Sequence, residues 1–572
     1  MPCSRVFPQF CGPVLSFLGA FLLSVSAAAA ADVTVNASVT HQTMLGWGAV
    51  TPWLMDVPDL LVGQIIDTAV NDLGLTRLRY EGPSGNRAED RRWEWGNDDD
   101  DPLHVNWSAY NTASLDAKVQ KYVVPFQQAV QANGDPFSIY LSPSFFNGGS
   151  SGSPSTWMLR SPGEYAEYAT SMLLRLRDVH NITADYYCIC NEAGNDNPFS
   201  AAIVGRMIKA VGPRLQQLGL STTIQFPECV SANTSWSYIQ ALAGDERVWE
   251  HVGLLSYHLY GSNTQRPSIR DFGAARGLPT AQTEYMGLTI DHLYDDLTLG
   301  GVSFWELYGQ GFPAPDNNRT SFSLPSRYWD MRQVMHYVRP GAVRVDATSN
   351  DGTVRSLGFV NDGKTTVVLL NKAAASVAQT VTVTGLPAGS YGVSRSVGSG
   401  VCQELGLQTV DGSGQLSLSV PKNAVLTIYP HEAGNLPPTL TAWKSSAAFL
   451  KVGGPGSTTL SASATDPEGD GVSYTWSVQS QPAGASAVLA NPNAASTAAT
   501  GLAAPGQYVF NVAVHDGSHT VNRQVALNVL EGNQPPVLID VHNRLPVQLT
   551  LPGSSTTLRS GAWDLEADPL TL

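Results

Sequence analysis

From Thr43 onward the chain alternates between two patterns. Short apolar runs end in polar residues or Gly, and longer stretches between them repeat apolar positions at a helical period. The runs predict strands at Thr43–Ala49, Thr76–Glu81, Phe137–Ser142, Ala184–Asn191, Thr222–Phe226, Val252–His258, Pro279–Glu284 and Val302–Glu306. Helical periods fall between them, among them Asp59–Leu73, Ser114–Asn133, Pro162–Val179 and Ala201–Leu218. Strands that are apolar on both faces are buried parallel strands. Eight strand–helix alternations predict an α/β fold, a (β/α)8 TIM barrel. An open doubly wound sheet would need a Gly-rich phosphate loop after its first strand, and Gly46-Trp47-Gly48 lacks the third Gly.

Beyond Arg344 the period shortens to strands divided by Asn-Asp-Gly, Pro-Ala-Gly and Asp-Gly turns, which predicts a β-sandwich. Asn435-Leu436-Pro437-Pro438 then recurs as Asn533-Gln534-Pro535-Pro536, and Asp466-Pro467-Glu468-Gly469-Asp470 as Asp564-Leu565-Glu566-Ala567-Asp568. The interval is the same for both, so the tail is a tandem module of Ig-like or PKD-like type. The expected division is a signal peptide at 1–31, the barrel at 32–341, an appended β-sandwich at 342–431, an all-β Ig-like module at 432–531 and a partial second copy at 532–572. Val33–Val39 alternates as a strand ahead of the barrel, and 32–40 is free to pair with the sandwich.

Arg5, the apolar run Val14–Val25 and Ala27–Ala31 have the form of a signal peptide cut near Ala30 or Ala31. The expectation is therefore a secreted protein, extracellular or periplasmic, with no membrane partner after cleavage. Cys188, Cys190, Cys229 and Cys402 are too few and too scattered for a disulfide framework. A net charge of −15 argues against a nucleic-acid partner but leaves a neutral polymer open. Many of the 13 Trp and 20 Tyr stand in polar, Gly-rich loops, where flat rings suit sugar faces.

A barrel gathers its chemistry at the carboxyl ends of its strands. Those ends carry Trp47, Arg77 or Arg79, Ser142, Asn191 with Glu192, Glu228, His258 with Tyr260, Glu284, and Trp305 with Glu306. Glu192 closes the run Asp185–Asn191, where it also fits a solvated loop residue. Glu284 ends Pro279–Thr283 and precedes Tyr285. It fits an ionised nucleophile held by a Tyr hydroxyl and a strand-two Arg, Arg79 being favoured over Arg77. Two carboxylates from strands four and seven face each other across a closed barrel, the arrangement that splits a glycosidic bond. Glu228 and Glu306 are the competing carboxylates.

Several stretches together resemble glycoside hydrolase family 30, a clan A family. They are His41–Gly48, Leu141-Ser142-Pro143-Ser144, Ser153–Met158, Asn191-Glu192, His258-Leu259-Tyr260, Thr283-Glu284 and Phe304-Trp305-Glu306. The resemblance spans about residues 33 to 431. It implies Glu192 as general acid/base, Glu284 as nucleophile and retention of configuration. It also implies that Asn191 holds the sugar 2-hydroxyl and that Trp305 floors a sugar subsite, with Arg79, Trp47, Trp157, His258 and Tyr260 as further substrate contacts. The chain departs from the family at Ala193, often Pro, and at Trp47, usually Phe.

The reading is a secreted, monomeric, retaining β-glycoside hydrolase acting on a polysaccharide or oligosaccharide, without cofactor or metal. Arg79-Tyr80 followed by Gly82 resembles the endo-β-1,6-galactanase branch. A xylanase or glucosidase of the same family, and a non-catalytic carbohydrate-binding or adhesion protein, are the alternatives. The long stretch Arg91–Asp101 offers Trp93 and Trp95 as sugar platforms and its aspartates as solvated or cation-binding groups.

Overall fold

The computed structural model describes residues 30–50, 54, 57, 59–82, 93–94, 97–145, 154–309, 311–315, 322–372, 378–398, 400–432, 434–447, 449–533, 537–543 and 558–563. The signal-peptide reading lies outside these residues except at Ala30 and Ala31. Trp95 also lies outside them.

Strand β1 (Ala30–Thr43) leads into eight parallel strands that close a barrel. These are β2 (Gly46–Val50), β3 (Arg77–Tyr80), β4 (Ser138–Leu141), β5 (Tyr186–Cys188), β6 (Thr223–Cys229), β7 (Val252–His258), β8 (Thr280–Glu284) and β9 (Val302–Tyr308). β2 and β9 complete the ring, with Trp47 opposite Trp305. Alternation along a strand decides which side chains fill the barrel. On β9 Phe304 and Glu306 point inward, and Gly46 and Gly48 face them from β2. A Cβ on Gly48 would stand 2.7 Å from Glu306 Cγ and 3.3 Å from Arg77 Cβ, so the inward position opposite this pair admits only a hydrogen.

The barrel interior is polar below its mouth. Arg77 stacks on Phe304 and Tyr140, at 4.0 and 4.5 Å, and donates Nε to Glu306 at 2.7 Å. It also donates Nη2 to Gln225 Oε1 at 2.6 Å. A buried ion pair is tolerated when its remaining polar atoms are bonded, and this one forms a rigid floor beneath the mouth.

β1 leaves the barrel to join a nine-stranded sandwich sheet, antiparallel to Val343–Ser349 and parallel to Gln379–Thr384. Ala30 and Ala31 pair there with Thr380 and Val381. The sandwich has its own core, including Val33, Leu369, Val381 and Leu426. A further all-β unit packs two four-stranded sheets around Trp476, Tyr508, Phe510 and Leu527. It rests on the barrel through Arg523, 3.0 Å from Asp67, and through Trp443, edge-on to Phe322. Val537–Asn543 and Leu558–Trp563 pair as an antiparallel ribbon after it. Among the described residues no helix is long and apolar enough to cross a membrane.

Candidate active site

β5 is shorter than its apolar run suggests. It ends at Cys188, and the chain then turns so that Glu192 adopts a left-handed backbone, φ 50°. That conformation is uncommon outside Gly and is upheld here by specific bonds. The Glu192 main-chain N–H donates to the Glu228 carbonyl at 3.0 Å, and its own carbonyl accepts from Asn197 Nδ2 at 3.0 Å. The turn lifts the Glu192 carboxylate into the mouth, where it is 6% exposed. Glu284, the last residue of β8, reaches the same space and is 8% exposed.

The two carboxylates meet around His258. One oxygen of Glu192, one ring nitrogen of His258 and one oxygen of Glu284 all lie within 4.8 Å of one another. His258 Nδ1 stands 2.9 Å from Glu192 Oε1 and 3.9 Å from Glu284 Oε2. Glu284 is oriented from both sides: Arg79 Nη1 donates to Oε2 at 2.5 Å, and the Tyr260 hydroxyl donates to Oε1 at 2.9 Å. Glu192 Oε2 accepts from Asn195 Nδ2 at 2.7 Å.

Glu228 sits one layer deeper and is fully buried. A bulge in β6 beside β7 and its own left-handed backbone, φ 55°, turn it inward. It accepts from the Tyr140 hydroxyl and from Ser142 Oγ, both at 2.9 Å, and faces Arg79 at 3.8 Å. Burial alone would raise it, but Arg79 and His258 outweigh burial and hold it at about 2. It is thus a fixed negative charge. Burial opposes a charged His258, yet Glu284, Glu192 and Glu228 around the ring raise it to about 9. Burial would also raise Glu192, but the hydrogen bond and charge of His258, then Asn195, bring it below the usual carboxyl value. At neutral pH the dissociable proton of this group therefore sits on His258, pointed at Glu192. Glu306 shares its floor position with Arg77, and burial pushes it up to about 7.

The structure thus brings together Glu192, Glu284, Arg79, His258 and Tyr260, with Asn191 beside them. Asn191 donates its main-chain N–H to the Pro143 carbonyl and leaves Oδ1 buried without a partner. Three expectations need correction. Trp305 is buried and donates its indole N–H to Asp296 Oδ2 at 2.9 Å, because alternation turns it out to the helix layer. Trp47 does the same from β2, donating to the Val338 carbonyl at 2.6 Å. Neither ring offers a face to a sugar. Trp93 is also fully buried, bonded to Ser171 Oγ at 2.8 Å. Trp157 is half-buried against the barrel core, with its indole N–H unpartnered. Sequence reasoning missed Asn195, although a Gly- and Asn-rich turn just after a strand-end Glu marks a place where an amide can reach back. It also passed over Glu81, which accepts from Arg79 Nη2 at 3.2 Å.

Residues 341–428 match the model of the glycosyl hydrolase family 30 beta sandwich domain, and residues 450–529 match that of a PKD domain. Among solved structures the chain is similar to a glycoside hydrolase family 30 subfamily 8 xylanase from Clostridium acetobutylicum. The two are 19% identical, with a TM-score of 0.55, over 70% of this chain and 100% of that one. The catalytic domain of a family 30 xylanase C from Talaromyces cellulolyticus is 17% identical, with a TM-score of 0.56 over 70% and 100% of the two chains. An endo-β-1,6-glucanase is 16% identical, with a TM-score of 0.51 over 70% and 94%. No curated protein matches the chain by sequence. The chain therefore carries the β-sandwich of glycosyl hydrolase family 30 and a PKD domain, and its barrel and sandwich together have the fold of the family 30 glycoside hydrolases.

Proposed function

We propose that the protein is an exported, retaining β-glycoside hydrolase that cleaves a polysaccharide by double displacement. The observation that carries this reading is the approach of Glu192 and Glu284 to within 4.8 Å at the barrel mouth, both reachable from outside. Retaining enzymes place their carboxyls about 5–5.5 Å apart, and inverting ones need a wider gap for water. Glu284, clamped by Arg79 and Tyr260, attacks the anomeric carbon while Glu192 protonates the departing oxygen. The glycosyl ester on Glu284 then yields to water, from which Glu192 takes the proton. Glu192 draws its first proton from His258, 2.9 Å away, so the pair titrates as a unit. Asn191 Oδ1 accepts a hydroxyl of the bound sugar, which satisfies an otherwise unpaired buried oxygen.

A digestion panel of β-1,6-galactan, β-xylan and β-1,6-glucan, with product sizing, tests this function. The stretch Arg79-Tyr80 with Gly82 favours the galactan and endo cleavage. Hydrolysis of no β-glycan would leave the non-catalytic binding reading in its place.

The His258–Glu192 pair sets a pH dependence. A ring raised to about 9 keeps its proton below that value and loses it above. The alkaline limb of kcat/KM is therefore expected near pH 9. In His258→Gln the proton must come from Glu192 alone, so the limb moves to lower pH by at least about one unit. The same shift carries stability that is fully present below the free-His value and declines as pH rises through about 9. An unmoved limb in the variant would show that His258 does not supply the proton.

A further inference from the structure

The stretch after β3 crosses the active end of the barrel to the helix Pro162–His180. Glu94 pairs with Tyr110 in an isolated antiparallel bridge, and the Trp93 indole is bonded to Ser171 of that helix. Glu94 is thereby held against the helix's first turns, which present Glu164 and Glu167. All three acids are buried, with exposures of 3%, 7% and 1% for Glu94, Glu164 and Glu167.

Each leaves Oε2 buried with no hydrogen-bond donor. Asn97, on the same stretch, adds a fourth buried and unpartnered oxygen, Oδ1. The Tyr110 hydroxyl donates to Glu167 Oε1 at 2.7 Å. Asp98 accepts the main-chain N–H groups of Asp99 and Asn106, at 2.7 and 2.6 Å. Among the described residues, the cation that pairs with this stretch is His104, and it pairs with Asp99 rather than with the buried acids. Unpartnered carboxylates at such depth keep protons or face a cation. Burial, with Glu167 and Asp98 adding to it, pushes Glu94 up to about 9. Burial, with Asp98 and Glu164, pushes Glu167 up to about 8 against the Tyr110 hydrogen bond.

An all-oxygen, multiply anionic donor set on an irregular loop is calcium chemistry, since that ion takes about six to eight oxygens in flexible geometry. Magnesium, which demands a regular octahedron, fits less well. We propose that Glu94, Glu164 and Glu167, with Asn97 and Asp98 at the rim, bind one calcium ion that fastens the stretch after β3 to the helix Pro162–His180. Among the described residues, only Glu192, His258 and Glu284 bring three ligating atoms within 4.8 Å of one another, so the ion draws the acidic side chains inward. The site braces one wall of the cleft and is independent of the hydrolytic reading.

Calorimetric titration of the EDTA-stripped full chain with calcium chloride tests it. The expected result is binding that Glu94→Gln/Glu167→Gln weakens by at least about tenfold. Asp466→Asn/Asp516→Asn in the PKD domain should leave that binding unchanged. Should the double variant not fold, Glu164→Gln removes a ligand from the more accessible helix start. Terbium luminescence sensitised through Tyr110 and Trp93, and quenched by added calcium, then reports the site in the unaltered chain. No calcium uptake, or uptake untouched by the variants at Glu94, Glu164 and Glu167, would mean that these acids keep their protons, and would overturn the proposal.

Discussion

Glu284→Gln is expected to lower kcat by roughly 10³-fold or more, because an amide can neither attack the anomeric carbon nor leave as a carboxylate. The substitution keeps shape and keeps an oxygen for Arg79 Nη1 or the Tyr260 hydroxyl, whose bonds to Glu284 are 2.5 and 2.9 Å. Folding should therefore survive, and oligosaccharide affinity should change little. Steady-state kinetics on the best glycan of the panel, beside calorimetric binding of its oligomers, checks both parts. Comparable turnover by the variant would remove Glu284 from the nucleophile's place. The confounders are separable by the same assay. Glu228 and Glu306 are fully buried, and their substitution is expected to show chiefly as lost stability.

Glu192→Ala is expected to cost about 10²–10⁴-fold in kcat on a natural glycan, the usual worth of a positioned acid–base group. On an aryl glycoside with an acidic phenol as leaving group, the bond-breaking step needs no proton, and its loss should be small. A covalent glycosyl enzyme then accumulates, because no base activates water. A small anion such as azide should restore turnover by taking the vacated space. An equal loss on both substrates, with no restoration, would contradict the acid/base role. The two variants together divide the reaction between its two carboxylates.

The barrel was legible because each of its strands is an apolar run bounded by polar residues, and because amphipathic helices punctuate those runs. The strand-end rule then located Glu192, Glu284, Arg79 and His258 without knowledge of any contact. What the sequence concealed is parity. Trp305 and Glu306 are neighbours on one strand, and only the direction of the β9 pleat decides which of them enters the barrel. Register shifts between β7 and β8, and between β8 and β9, make that direction unreadable from counting. An indole also suits either side, since its N–H finds Asp296 or a main-chain carbonyl as readily as water.

The turn at Glu192 was concealed for a related reason. Ala184–Asn191 reads as one long strand, yet β5 stops at Cys188 because later residues are held by Pro143, Glu228 and Asn197, all distant along the chain or across the turn. The inward turn of Glu228 depends likewise on a bulge against β7, which no local pattern announces. His258 reads as a polar strand terminus. Its charge state follows only from the three carboxylates that surround it.

Time-resolved ¹H NMR of the first-formed product anomer tests the account most directly. With Glu192 and Glu284 bridging a single sugar linkage, a β-glycan should release its β-anomer first, with the α-anomer appearing later by mutarotation. Release of the α-anomer first would require a water between the two carboxylates and would contradict the double displacement.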